Sequence, residues 1–138
     1  MKNIILLLIS LVAFSIATGG MIRQSKFFKQ EALPAKDTFV VTATMYQPLA
    51  GQTDSDPNIT ADGSIIDPEN ASEHHWIAVS RNLLKRWGGC LDYGDKVELH
   101  GAGHKDGIYE IHDTMNKRCV NQIDILESPD VDLYKFKN

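Results

Sequence analysis

No stretch of this chain gathers positive charge: 14 Lys and Arg stand against 18 Asp and Glu, for a formal charge of −4. Phosphate binding needs clustered cations, so nucleic acid is not an expected partner, while a neutral or mixed-charge polymer remains compatible. There is no internal repeat and no low-complexity tract, which leaves 138 residues for one compact domain with a real core. No Gly-x-Ser-x-Gly elbow is present, so a Ser–His–Asp hydrolase lacks its nucleophile. The five histidines include His100, His104 and His112 at strand ends and the pair His74-His75. Their spacing matches no tight metal motif, and no metal or other cofactor is expected. Cysteine is scarce, with only Cys90 and Cys119, and neither lies near the N-terminus to take a lipid.

Long apolar runs are also absent, with one exception. Lys2 precedes Ile4-Ile5-Leu6-Leu7-Leu8-Ile9 and Leu11-Val12-Ala13-Phe14, followed by the small residues Ser15, Ala17, Thr18 and Gly19. A positive start, an apolar centre and small residues at the end make a secretory signal over residues 1–19. The alternative is a retained membrane anchor, although the run is marginal against the ~20 residues a span needs. The expected location is outside the cytoplasm: periplasm, outer membrane or cell surface. In an exported chain two cysteines predict a Cys90–Cys119 disulfide, worth ~3 kcal/mol if unstrained; two free thiols are the other reading.

Residues 20–36 read as a polar linker. A domain is expected over residues 37–128, with a charged tail at 129–138. Thr38-Phe39-Val40-Val41-Thr42-Ala43-Thr44-Met45-Tyr46 is β-branched and aromatic, hence a strand. Residues 47–73 hold Pro48, Gly51, Pro57, Gly63 and Pro68, a long loop of the kind that is functional or mobile. Further strands are expected at Trp76–Val79, Lys96–Leu99, Ile108–His112 and Gln122–Leu126. A short helix capped by Ser80 is expected through Trp87, stopped by Gly88-Gly89. Short strands between Gly and Pro signals predict a mainly β barrel or sandwich.

Tyr109-Glu110-Ile111-His112-Asp113-Thr114, followed by Ile123-Asp124-Ile125, resembles the three-aspartate (3D) domain family, which includes lytic transglycosylase barrels and muralytic domains. Asp113 and Asp124 are eleven positions apart, as in that family. Thr60-Ala61-Asp62-Gly63 resembles its Thr-x-x-Gly loop, Thr42 to Tyr46 its opening strand, Ile77-Ala78-Val79 the stretch before its first aspartate, and Gly94-Asp95-Lys96-Val97 the next strand start. The resemblance implies a small six-stranded double-psi β-barrel with Asp124 as acid/base and Asp113 in support. It puts Tyr46, Thr60, Gly63 and Thr114 along the substrate groove. Three departures stand out: Ser80 replaces the first aspartate, Met115 the glycine after Asp-Thr, and a segment from Trp87 to Tyr93 looks inserted. Asn121 replaces a glycine too, a mild change because Asn tolerates positive φ.

Glycosidic cleavage needs a proton donor to the leaving oxygen. Asp124 lies between Ile123 and Ile125, where burial would hold its proton, and Asp113 could add a neighbouring charge. The structural alternative is that Asp113 caps backbone N–H groups and that Asp124, by strand alternation, points to solvent. The expected function is cleavage of peptidoglycan glycan strands, as lytic transglycosylase or muralytic hydrolase. The alternatives are a non-catalytic glycan-binding module, with Trp76, Trp87 and Tyr93 stacking on sugars, and an envelope-assembly adaptor.

Overall fold

The computed structural model describes residues 3–8 (backbone only), 37–52, 56–134 and 136. The expected linker and most of the expected signal lie outside these residues. Asn3–Leu8, the front of the apolar run, forms strand β1. The other strands are β2 (Thr38–Tyr46), β3 (Trp76–Val79), β4 (Lys96–His100), β5 (Gly107–Thr114) and β6 (Gln122–Leu126). The chain is mainly β, and its strands pair in the order β1-β2-β6-β3-β5-β4, with β1 closing against β4.

Two parallel pairs, β2 with β6 and β3 with β5, meet through the antiparallel pair β3 with β6. Alternation fills the interior. Val41, Ala43, Ile77, Val79, Val97, Leu99, Ile111, Ile123 and Ile125 point inward and form one buried cluster, so their intervening neighbours face out. A smaller cluster of Tyr46, Ile66, Ala71, Ala78 and Leu126 lies on the outer face, backed by Trp76 and Met115.

Two departures from strict periodicity shape that outer face. The first is a register shift on β5: Ile77 pairs with Ile111, but Ala78 pairs with Asp113. His112 is the extra residue of a β-bulge. Unbroken alternation from Tyr109 and Ile111 would turn Asp113 into the core; the bulge returns it to the outside. The second lies after β3. The helix expected from Ser80 to Trp87 is instead two 3₁₀ turns, Arg81–Leu83 and Lys85–Trp87. Leu84 between them is extended, at φ −87° and ψ 139°, because it forms a bridge with Leu91. Lys85 N–H donates to Leu91 O at 2.8 Å, which fixes the break. Ser80 does not cap this segment through its side chain. Its Oγ accepts from Gln122 N–H at 3.0 Å, tying β3 to the start of β6.

The remaining expectations divide similarly. Asn121 adopts φ 50°, where asparagine is tolerated, and Asn82 holds it through its backbone N–H at 3.1 Å. Met115 has no positive φ and extends the β3 ladder by donating to Val79 O at 3.0 Å, so no glycine is needed there. Cys90 and Cys119 are free thiols, so the expected disulfide is absent. Cys119 lines a groove beside Asp113, whereas Asp37, Lys85 and Asp95 surround Cys90. The tail packs back on the domain: Phe136 lies against the core and Gln47 Nε2 donates to Val131 O at 2.8 Å. At the end of β6, buried Glu127 pairs with Lys105 at 2.6 Å and accepts from Ser72 at 2.8 Å. Among the described residues, no helix is long and apolar enough to cross a membrane.

Candidate active site

Strand register assembles the site. Thr44 on β2 stands opposite Asp124 on β6, Asp124 opposite Ala78 on β3, and Ala78 opposite Asp113 on β5. These four residues form one lateral row on the outer face. The aspartates are therefore two strand spacings apart, roughly 10 Å between backbones, with Ala78 between them in the row. A larger residue there would separate them.

The two carboxyls have different surroundings. Asp113 is held by donors: Ala61 N–H at 3.0 Å, Thr114 N–H at 2.8 Å and the Tyr46 hydroxyl at 3.2 Å. Tyr46 in turn has its phenol pushed well above the ordinary range by burial and by the charge of Asp113. Asp124 accepts from the Thr44 hydroxyl at 2.7 Å, its one side-chain donor among the described residues. Burial pushes its pKa up to about 6, the Thr44 hydrogen bond pulls it down, and the charge of Asp113 raises it further. The environment of Asp124 thus favours its protonated form more than that of an ordinary aspartate.

The long loop roofs one side. Thr60 to Gly63 is a turn closed by Gly63 N–H donating to Thr60 O at 2.9 Å, with Gly63 at φ 90°. It is pinned to the bulge. His112 Nδ1 meets Asp62 at 2.7 Å and Ser64 Oγ at 3.1 Å, and Nε2 meets Glu110 at 3.1 Å. Burial opposes the charge on Asp62, but hydrogen bonds from Thr60, Ser64 and His112 hold its carboxyl below the usual range. Trp76 stacks between His74 at 4.2 Å and His112 at 4.1 Å. Trp76 is thus occupied by imidazole rings. Among the described residues no set of three or more His, Cys, Asp or Glu is placed to hold a metal ion.

These walls enclose an open groove of about 730 Å³, within the usual range for ligand sites. Asp113, Asp124, Tyr46, Thr60 and Thr114 all line it. Thr60 is largely committed to its own turn, through Asp62 at 2.6 Å, and the Thr114 hydroxyl bonds that of Tyr93. Gly63 shapes the turn without lining the groove. Sequence reasoning missed Thr44, Ala78, Arg81 and Arg86. Thr44 and Ala78 were hidden because their importance is lateral: only strand pairing sets them beside the aspartates. The arginines sit in the segment taken for a helix.

Comparison with protein-family models, with curated proteins and with solved structures finds no match for this chain.

Proposed function

We propose that this chain cleaves the glycan strands of peptidoglycan, with Asp124 as the acid/base and Asp113 in support, outside the cytoplasm. The reading includes a double-psi barrel of the three-aspartate type. The crossed pattern of two parallel pairs joined by an antiparallel one supports it. One observation carries the functional part: a part-buried carboxyl with its pKa pushed up to about 6 lines the same open groove of about 730 Å³ as a second carboxyl.

The chemistry needs one residue in two roles. Protonated Asp124 gives its proton to the glycosidic oxygen as the C1–O bond breaks. The resulting carboxylate takes the proton of the sugar's own 6-hydroxyl, whose oxygen bonds to C1 and leaves a 1,6-anhydro end. In the hydrolytic variant, water replaces that hydroxyl and a reducing end results. Asp113, held by Ala61 N–H, Thr114 N–H and the Tyr46 hydroxyl, is positioned to supply negative charge where positive charge develops on the sugar ring.

Digestion of purified sacculi, followed by mass spectrometry of the soluble products, tests this. Anhydro-muropeptides identify a lytic transglycosylase and reducing muropeptides a hydrolase, and Asp124→Asn should release neither. An Asp124→Asn protein as active as wild type would refute the assignment. The second reading, a binder of peptidoglycan or another polysaccharide, draws on Ser80. That side chain faces β6 and does not line the groove, so the resembled family's first carboxyl has no counterpart there. Sacculus binding without any released product would favour it.

A further inference from the structure

The groove has a second chemical character away from the aspartates. Arg81, Arg86 and Trp87 line it along with Asp113 and Asp124. The guanidinium carbons of Arg81 and Arg86 lie 5.1 and 4.7 Å from the centre of the Trp87 ring, within cation–π range. Neither guanidinium has a carboxylate partner among the described residues. In a chain with excess acid, two arginines held on one indole with no ion pair to another described residue offer a place for an anion.

The segment is built to present them. Two 3₁₀ turns bring Arg81 and Arg86 round to the same ring. Gly88, at φ 91°, ends the second turn. At Gly89 a Cβ would lie 2.2 Å from the Leu83 backbone, so only glycine permits this fold-back. Trp87 N–H and Gly89 N–H both donate to Leu84 O, at 2.9 and 3.0 Å. Trp87 is thereby half exposed at the rim, acting as a support for the guanidinium groups. The cost of ordering two long side chains is met before any ligand arrives.

We infer that Arg81 and Arg86, supported by Trp87, form a carboxylate-binding subsite that selects amino-sugar chains bearing carboxyl groups over uncharged ones. This rests on the proposed glycan reading and names the feature of the chain that is recognised. The division of charge fits such a ligand. A neutral glycosidic link can lie over Asp124 and Asp113, where an anion would be repelled. A carboxylate on the same chain can meet the arginines, whose flat donors match it in bidentate fashion. The carboxylate can come from a lactyl ether on the sugar or from an attached peptide.

Three tetrasaccharide probes separate these sources: one of N-acetylglucosamine alone, one alternating N-acetylglucosamine with N-acetylmuramic acid, and the latter carrying stem peptides. Calorimetric titration of the full chain with Asp124→Asn prevents turnover. The muramyl or peptidyl probe should bind at least about tenfold tighter than the uncharged one, roughly one charge-assisted pair. Preference already present in the bare muramyl probe assigns the lactyl group; preference only with stems assigns the peptide. Arg81→Gln with Arg86→Gln, which keeps side-chain length, should bring the probes within about twofold of each other. Arg86→Lys should recover part of the preference, because charge returns without the planar fork. Equal binding of all three probes, or a preference that survives the double Gln variant, overturns the inference. Its failure is separable from that of the proposed function. A wild-type protein that digests sacculi without discriminating the probes keeps the function and loses the subsite; one that discriminates without digesting does the reverse.

Discussion

Asp124 bears an electrostatic cost that its replacement should reveal. An ordinary aspartate titrates near 3.8, whereas this one is pushed up to about 6, first by burial and then by Asp113. Between those values the folded chain retains a proton that the unfolded chain has lost. Stability at this site is therefore complete below about pH 4 and falls as pH rises toward 6. Asparagine has the same shape and no charge. Asp124→Asn should match wild type in denaturant melts at pH 4 and exceed it by about 3 kcal/mol at pH 7.5, while losing sacculus digestion at both. Thr44 sets the lower bound on the same proton. Its hydroxyl reaches Asp124 at 2.7 Å and Ile123 O at 3.3 Å. It can donate to the ionised carboxylate, or turn its proton to the carbonyl and accept from the protonated acid. Thr44→Val removes the donor to the charged form. The alkaline limb of the digestion rate should move up by roughly 0.7 pH, the equivalent of about 1 kcal/mol. Thr44→Ser should restore it. An unmoved limb would mean that Asp124 does not govern that limb.

At the scale of elements, β3 is the floor and β5 the device that aims the second carboxyl. The sequence pattern located both strands, since their apolar alternation is plain. It could not show that alternation breaks at His112, because a bulge depends on how β5 pairs with β3, not on local composition. The rule that strand neighbours face opposite ways therefore separates His112 from Asp113 in the sequence, whereas both serve the outer face. The Ser80–Trp87 segment failed for a related reason. Its Leu83, Leu84 and Trp87 spacing fits a helix, but the non-local bridge from Leu84 to Leu91 outweighs the local signal. Free thiols at Cys90 and Cys119 show the same limit: a pair of cysteines in the sequence does not say that their surroundings meet. The floor can be tested directly. Ala78→Val adds two methyl groups between Asp124 and Asp113, in a position only 4% exposed. Strand propensity favours valine, so folding should survive with at most about 1–3 kcal/mol of overpacking cost. Digestion should fall at least tenfold while far-ultraviolet circular dichroism stays unchanged. Full activity in a folded Ala78→Val protein would show that the carboxyls do not act as a pair.

For the whole molecule, the N-terminal run has a structural role beside its reading as a sequence. As a sequence it reads as an export signal; in the fold, Asn3–Leu8 occupies the space between β2 and β4. It pairs antiparallel with Thr38–Thr42 on one edge and with Val97–His100 on the other. Removal of residues 1–19 would take away that strand and leave two unpaired edges, while the row Thr44–Asp124–Ala78–Asp113 lies on four other strands. Closure and site are therefore separable. A protein beginning at residue 20 should melt at least about 10 °C below one that retains Asn3–Leu8, since losing two ladders costs several hydrogen bonds at about 1 kcal/mol each. It should digest sacculi at a similar rate below its own melting temperature. Its open edges invite pairing with another copy, so sedimentation velocity should show self-association that the longer protein lacks. Equal melting temperatures and a monomer in both cases would mean that β1 contributes nothing to the folded domain. Loss of digestion well below the melting temperature would mean that the active groove requires a closed wall.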